Sequence, residues 1–219
     1  VAQGRIGGQS LVKVKIYVEG GGRNKALRTK CRLGFNRFFY KAGLEGRMPR
    51  IVASGNRQQA FDDFRRALRG AEEHDFIVLL VDSEISVAAS AGPWQHLMEF
   101  DKWTQPPGAT DDQAHLMVQC MEAWFLADKE CLAERFKQGF NLSALPARMD
   151  IEQIEKTDVL ASLKKAGRDG LTGGYDKGRH SFDILARIDP NKVAMASPHA
   201  KRLLDTLRAK SGIATPNDM

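Results

Sequence analysis

Four acidic residues stand where a chain could do phosphoryl chemistry. Glu19 follows the apolar run Leu11–Val18 and leads directly into Gly20-Gly21-Gly22. Asp82 and Glu84 follow the run Phe76–Val81, and Glu122 comes just after His115–Cys120. Carboxylate oxygens are the ligands that hard divalent cations such as Mg2+ or Mn2+ take. A metal held in this way stabilises the attacking and leaving oxygens of a phosphodiester. A glycine turn has no Cβ atoms and lets backbone approach a phosphate. Residues two apart on an extended chain face one side, so Asp82 and Glu84 are expected to point together. A plainer role is open to each acid, since residues after strands cap helices and most surface charge is a solvated face.

These acids need a scaffold that brings strand ends together. Leu11–Val18 alternates apolar residues with Lys13 and Lys15 and reads as a strand. Asn24 caps a helix over Lys25–Ala42, which carries Leu27, Cys31, Phe35, Phe38 and Phe39 at helical spacing and stops at Gly43. Pro49–Ala53 is a second strand and Gln58–Gly70 a second helix. Phe76–Val81 is apolar throughout, as a strand buried on both faces of a parallel sheet is. Trp94–Trp103 suits a helix, His115–Cys120 a fourth strand, and Glu122–Phe136 a helix. Strands alternating with helices imply a parallel α/β sheet flanked by helices. Ligands of such a sheet bind at the carboxyl ends of its strands, where Glu19, Asp82, Glu84 and Glu122 fall. A haloacid-dehalogenase-type phosphatase or a receiver-type domain also carries acids there, but it needs Asp after the first strand, and this chain has Glu19.

Beyond Gly139 the pattern weakens to short helical segments at Ile151–Ile154, Val159–Ala166 and Phe182–Ile188. A clearer helix runs over His199–Ala209, with Ser197 as cap and Pro198 in the first turn. The division expected is a metal-binding domain over 11–138 and a helical C-terminal extension over 139–213, packed on it as one compact unit. The tail Ala214–Met219 is expected to fray.

The 219 residues include 42% hydrophobic and 27% charged residues, an ordinary globular balance that excludes collagen, coiled coil and a disordered main state. No apolar run reaches the ~18 residues of a membrane span. Val1–Ser10 is Gly-rich, lacks the apolar core of a signal peptide, and opens on Val1 rather than Met. Cys31, Cys120 and Cys131 form no CxxC pair and suit reduced thiols in a cytoplasmic protein. The net charge of +6 is unevenly spread: +9 over Val1–Asp75, −8 over Phe76–Glu134 and +5 over Arg135–Met219. An acid-rich middle between basic flanks suits a metal centre bordered by phosphate-binding cations, or simply solvated helix faces.

Other residues could join the same chemistry. Lys177 is expected in a loop, Gly173–His180, that does not fit the P-loop spacing. It could neutralise charge in a phosphoryl-transfer transition state or be solvated. Arg23 and Lys25, beside the glycine turn, could hold backbone phosphates or merely open a helix. His180 could serve as acid or base, or as structure. Trp124 and Phe125 read as core before they read as a base-stacking platform. Tyr40 and Tyr175 remain open as nucleophiles.

Tyr17-Val18-Glu19-Gly20-Gly21-Gly22 followed by Leu80-Val81-Asp82-Ser83-Glu84 resembles the TOPRIM signature of topoisomerases, primases and overcoming-lysogenization-defect (OLD) nucleases. More specifically the chain is similar to one bacterial TOPRIM-like family, the domain of unknown function numbered 4276. The segments that carry this likeness are Tyr17–Gly22, Gly46–Arg50, Leu80–Glu84, Met117–Asp128, Tyr175–Gly178 and Ser181-Phe182, with Gln119–Asp128 the most specific, and it extends from about Lys13 to Leu204. The resemblance implies a Mg2+-dependent phosphodiester-cutting or strand-transferring site. Glu19 would be the first-strand acid, and Asp82 with Glu84 the paired acids, Glu84 standing where TOPRIM proteins more often have Asp. Glu122 would be a further ligand or an orienting group. TOPRIM nucleases are often encoded beside an ABC-like ATPase in phage-defence systems, so the resemblance also implies an ATPase partner and a DNA or RNA substrate. Two other classes stay open: a non-catalytic regulatory or nucleic-acid-binding subunit, and a small-molecule phosphotransferase.

Overall fold

The computed structural model describes residues 12–169 and 174–213. The Gly-rich start, Leu11 and the tail expected to fray lie outside the described residues. Strands β1 (Lys13–Gly21), β2 (Arg50–Gly55), β3 (Asp75–Asp82) and β4 (Ala114–Met117) form one parallel sheet in the order β2-β1-β3-β4. This is the expected α/β architecture, with helices α1 (Lys25–Phe39), α2 (Arg57–Arg69) and α3 (Pro93–Asp101) in the crossovers.

The strand order explains where a site can form. From β1 the chain steps outward to β2 through α1, then returns across β1 to β3 through α2. Right-handed crossovers in opposite directions put their helices on opposite faces of a sheet. Accordingly Cys31, Phe35, Phe38 and Phe39 of α1 pack with Val14, Ile16 and Val18 of β1 and with Val78 and Leu80 of β3 on one face. Phe61 and Phe64 of α2, with Trp94 and Leu97 of α3, pack with Ile77, Leu79 and Val81 on the other. The alternation of β3 between two apolar faces is why its sequence reads as an unbroken apolar run. The order reverses between β1 and β3, which opens a crevice at their carboxyl ends.

Four further α-helices, α4 (Lys129–Phe136), α5 (Lys156–Gly167), α6 (Lys177–Arg187) and α8 (Pro198–Lys210), with the short α7 (Pro190–Ala196), follow the last strand. Val159, Leu163, Ile184, Leu185, Leu203 and Leu204 join the α1 face in one buried cluster. Helix α6 crosses α1 at Gly34, where a Cβ would lie 2.8 Å from the carbonyl oxygen of Phe182. Only a glycine lets the two backbones approach this closely.

Several element bounds differ from those the sequence suggests. Strand β4 ends at Met117 because Gln119 takes a left-handed φ of 64° and turns the chain. The helix expected over Glu122–Phe136 is two pieces: a 3-10 segment Met121–Ala127, then α4, capped by Asp128 whose side chain accepts from the amide of Cys131. Helix α6 starts at Lys177 rather than Phe182, behind Asp176, which accepts from the amide of Arg179. Lys177 is therefore a first-turn helix residue and not a loop residue. Helix α7 carries the same Asp/Ser-then-Pro start signal as α8, at Asp189-Pro190. No helix among the described residues is long and apolar enough to cross a membrane.

Candidate metal centre

Glu19 sits near the end of β1, where Glu19, Gly20 and Gly21 all face Gly55 across a bulge. Gly21 has a φ of 82°, and a Cβ there would meet the Arg28 backbone at 2.6 Å. The turn thus takes the chain sharply away from the sheet into Asn24, which caps α1 through the amide of Leu27. Asp82 ends β3, on the other side of the crevice. Glu84 lies past the strand with a left-handed φ of 69°, so the period-two argument for its direction fails. Ser83 and Gln119 hold this turn instead: the Glu84 amide donates to the Gln119 carbonyl at 3.1 Å, and the Gln119 amide to Ser83 Oγ at 2.7 Å. The result still brings Glu84 in, because one carboxylate oxygen from each of Glu19, Asp82 and Glu84 lies within 4.8 Å of the others.

Asp82 is buried, and its Oδ1 accepts from the amide of Met121 at 2.8 Å. Its carboxyl is pushed up to about 7, first by burial and then by the nearby Glu19 and Glu122 charges, against the pull of Lys177 and Lys156. Glu19 is raised too, chiefly by burial, with Arg57 opposing. Glu122 is fully buried at the wall of the same cleft. Its Oε1 accepts from Tyr175 Oη and from Ser181 Oγ, each at 3.1 Å. Tyr175 is thereby committed to Glu122, and burial drives its phenol well above the ordinary range. Glu122 stands outside the trio whose oxygens converge.

Three cations meet these acids. Lys156, the first residue of α5, places Nζ 2.7 Å from Glu84 Oε2 and 3.5 Å from Asp82 Oδ2. Lys177, the first residue of α6, places Nζ 3.4 Å from Glu122 Oε2. Burial would favour loss of each proton, but the facing carboxylates outweigh it and hold both lysines above their ordinary value. Arg57 grips Asp101 with two bonds of 2.7 and 2.6 Å, donates to the Asp82 carbonyl, and lies 3.7 Å from Glu19 Oε2.

The donor set fits a hard divalent cation. Glu19, Asp82, Glu84, Asp101 and Glu122 bring five carboxylates against the three cations Arg57, Lys156 and Lys177, a formal excess of two negative charges. Glu19 Oε2 and Glu122 Oε2 are buried without a hydrogen-bond donor. A buried acceptor left without a partner is costly, and a bound cation would satisfy the one on Glu19. All of the converging donors are oxygens, which suits Mg2+, Mn2+ or Ca2+ and not a thiolate- or imidazole-seeking metal.

Glu19, Asp82 and Glu84, expected at strand ends, converge, Glu122 lies beside them, and Lys177, offered only as a loop cation, meets Glu122. Arg23 and Lys25 do not join them. Both are exposed and line no part of the cleft of about 360 Å³ that holds Glu19, Asp82, Glu122 and Lys177. The glycine turn and the Asn24 cap lead the chain to the solvent side before either cation can turn inward. His180 is buried, and its Nδ1 accepts from the Asp176 amide at 3.0 Å, so it closes the α6 start rather than facing the acids. Trp124 stacks on Phe38 at 5.2 Å in the core. Sequence reasoning misses Lys156 and Arg57. The only sequence signal for either is a charged residue at a helix start, which is commonplace.

A family model described as a domain of unknown function, DUF4276, matches residues 18–208. No curated protein and no solved structure matches the chain.

Proposed function

The chain belongs to the DUF4276 family, and we propose that it is a Mg2+-dependent nuclease of TOPRIM type, cutting nucleic-acid phosphodiesters. The observation that carries this reading is the convergence of Glu19, Asp82 and Glu84 within 4.8 Å at the switch point of the sheet, ringed by lysines. The strand-end placement of the three acids, and the likeness of their segments to the TOPRIM signature, support it.

Glu19, Asp82 and Glu84 would hold the ion, which when bound supplies Lewis-acid stabilisation of a phosphoryl oxygen. The remaining residues have roles of their own. Lys177 lines the cleft and would donate to a non-bridging oxygen. Lys156 bridges Glu84 and Asp82 and would hold the two carboxylates in place. Arg57, pinned by Asp101, fixes the direction of Glu19. The backbone of Gly20-Gly21-Gly22 leaves room for a phosphate at the cleft floor. Mn2+ satisfies the same donors. In this reading the chain is an effector of a bacterial phage-defence system working with an ABC-like ATPase.

Calorimetry with Mg2+ and Mn2+ tests the centre, followed by cleavage assays on plasmid, single strands and tRNA. Wild type should bind metal and cut; Glu19→Gln and Asp82→Asn should do neither while keeping the far-ultraviolet circular dichroism of the folded wild type. Undiminished cleavage by Asp82→Asn would sink the assignment. A second reading has one observation in its favour: Lys156 and Lys177 already neutralise part of the acid cluster from within. That would suit a non-catalytic regulatory or nucleic-acid-binding subunit, and absence of metal binding with nucleic acid present would select it.

A further inference from the structure

A second concave surface adjoins the acid centre, and nothing in the proposed cleavage chemistry uses it. It is a groove of about 560 Å³ between α2 and the segment after α3, lined by Arg65, Arg69 and Lys102 with no acidic residue. Arg65 and Arg69 are one helical turn apart on α2, and none of the three cations is ion-paired among the described residues. Arg66, on the same helix but outside the groove, is paired to Asp63 at 2.8 Å. The unpaired cations of this helix therefore gather on the groove side.

The floor is stiff. Trp103 stacks on Phe61 at 4.3 Å with planes 6° apart, and its Nε1 donates to Gln58 at 3.2 Å. The Arg65 guanidinium lies 5.3 Å from the centre of the Phe61 ring. One side chain separates this groove from the acid centre: the Arg57 guanidinium is 5.2 Å over the Trp103 ring and 3.7 Å from Glu19 Oε2.

We propose that this groove is the track for the phosphate backbone of the nucleic-acid strand that enters or leaves the acid centre. The inference rests on the nuclease reading and assigns its substrate path. Arg65 and Arg69 without an acidic partner, beside Lys102, whose Nζ donates to the Glu99 carbonyl at 2.9 Å, on a stacked aromatic floor free of acids, form the surface a polyphosphate chain needs. A strand cut at Glu19, Asp82 and Glu84 must continue over a neighbouring surface, and this one abuts the centre through Arg57. Phosphate contacts of this kind position a strand without reading its sequence.

The test measures binding of the full chain, in EDTA, to fluorescent single-stranded DNA, single-stranded RNA and duplex DNA of one sequence over a range of salt. Arg65→Gln with Arg69→Gln should weaken binding of at least one of these by roughly tenfold, and lower the slope of log affinity against log salt by about 1.4 for single strands. Arg66→Gln should change neither. Neither substituted arginine is buried, so circular dichroism should match wild type. Equal affinity and slope in the double variant, or no nucleic-acid binding by wild type, would overturn the track. So would a polyglutamate chain that binds through Arg65 and Arg69 while nucleic acid does not. Metal calorimetry separates this result from the centre itself: the groove variant should bind metal as wild type does. Asp82→Asn should lose metal and keep the groove's binding.

Discussion

Asp82 is the most consequential single side chain. Its carboxyl is pushed up to about 7 from an ordinary 3.8. A folded-state carboxyl that holds its proton this long favours the folded state at low pH, and that contribution is lost as pH rises from about 4 through about 7. Without added metal, the melting temperature should therefore carry a component that falls over this range, and Asp82→Asn should remove it. The Asn side chain keeps the acceptor for the Met121 amide, so no buried donor is stranded. Because ligands must lose their protons, metal affinity should rise as pH climbs through about 7; calorimetry in two buffers of different ionisation heat would record the released proton. An affinity that does not vary with pH would remove Asp82 from the ligand set. His115 has the opposite sign. Burial first, then Arg202, push its imidazole from 6.5 down to about 3. The unfolded chain takes up that proton first, so stability is present above about 6.5 and is lost as pH falls toward about 3. Chemical denaturation of His115→Gln should show a shallower acid limb than wild type.

Among the helices and strands, the centre depends on two helix starts. Lys156 opens α5 and Lys177 opens α6, and each is held by its own local device. The Lys156 amide donates to Gln119 Oε1 at 3.2 Å, which ties α5 to the turn that carries Glu84. The Asp176 side chain caps α6. Asp176→Ala should lower stability by about 1 kcal/mol and loosen Lys177, read as weaker substrate binding with metal binding retained. The α1–α6 crossing is the other sensitive point. Gly34→Val would drive a side chain into the Phe182 carbonyl, with a Cβ already 2.8 Å away. Overpacking of this kind costs about 1–3 kcal/mol. A denaturant midpoint equal to that of wild type would show that α6 can shift without penalty.

Across the molecule, the C-terminal helices and one face of the sheet share a single buried cluster. Sheet residues such as Val14 and Val18 lie in it with Leu203 and Leu204 of α8. Parts joined by one core unfold together, so tryptophan fluorescence and far-ultraviolet circular dichroism should report one coincident transition. Leu204→Ala should destabilise the fold by about 2–5 kcal/mol, and two separated transitions would divide the chain near residue 139. This shared core has a functional consequence. The converging acids Glu19, Asp82 and Glu84 come from the sheet and the turn after β3, and both lysines from the helical part, so neither part alone holds the complete centre.

Local pattern was enough to locate the scaffold and the acids. Parallel strands buried on two faces read as apolar runs, and the crevice of such a sheet lies at its strand ends; those two facts locate Glu19, Asp82 and Glu84 from residue order alone, but not Glu122, which lies in the 3-10 segment beyond the end of β4. They do not set the direction of Glu84, where a left-handed backbone replaces the extended one that period two assumes. Nor do they identify the cations that meet the acids. Arg23 and Lys25 are near Glu19 in sequence but are turned outward by the glycine turn and the Asn24 cap, while Lys156 and Arg57 are distant in sequence and near in space. Packing settles this, because strand periodicity is local whereas an ion pair across 72 residues, Lys156 to Glu84, depends on how a helix docks. The groove beside the centre is a product of packing in the same way: α2 and the segment after α3 meet over one stacked pair of rings, Trp103 on Phe61.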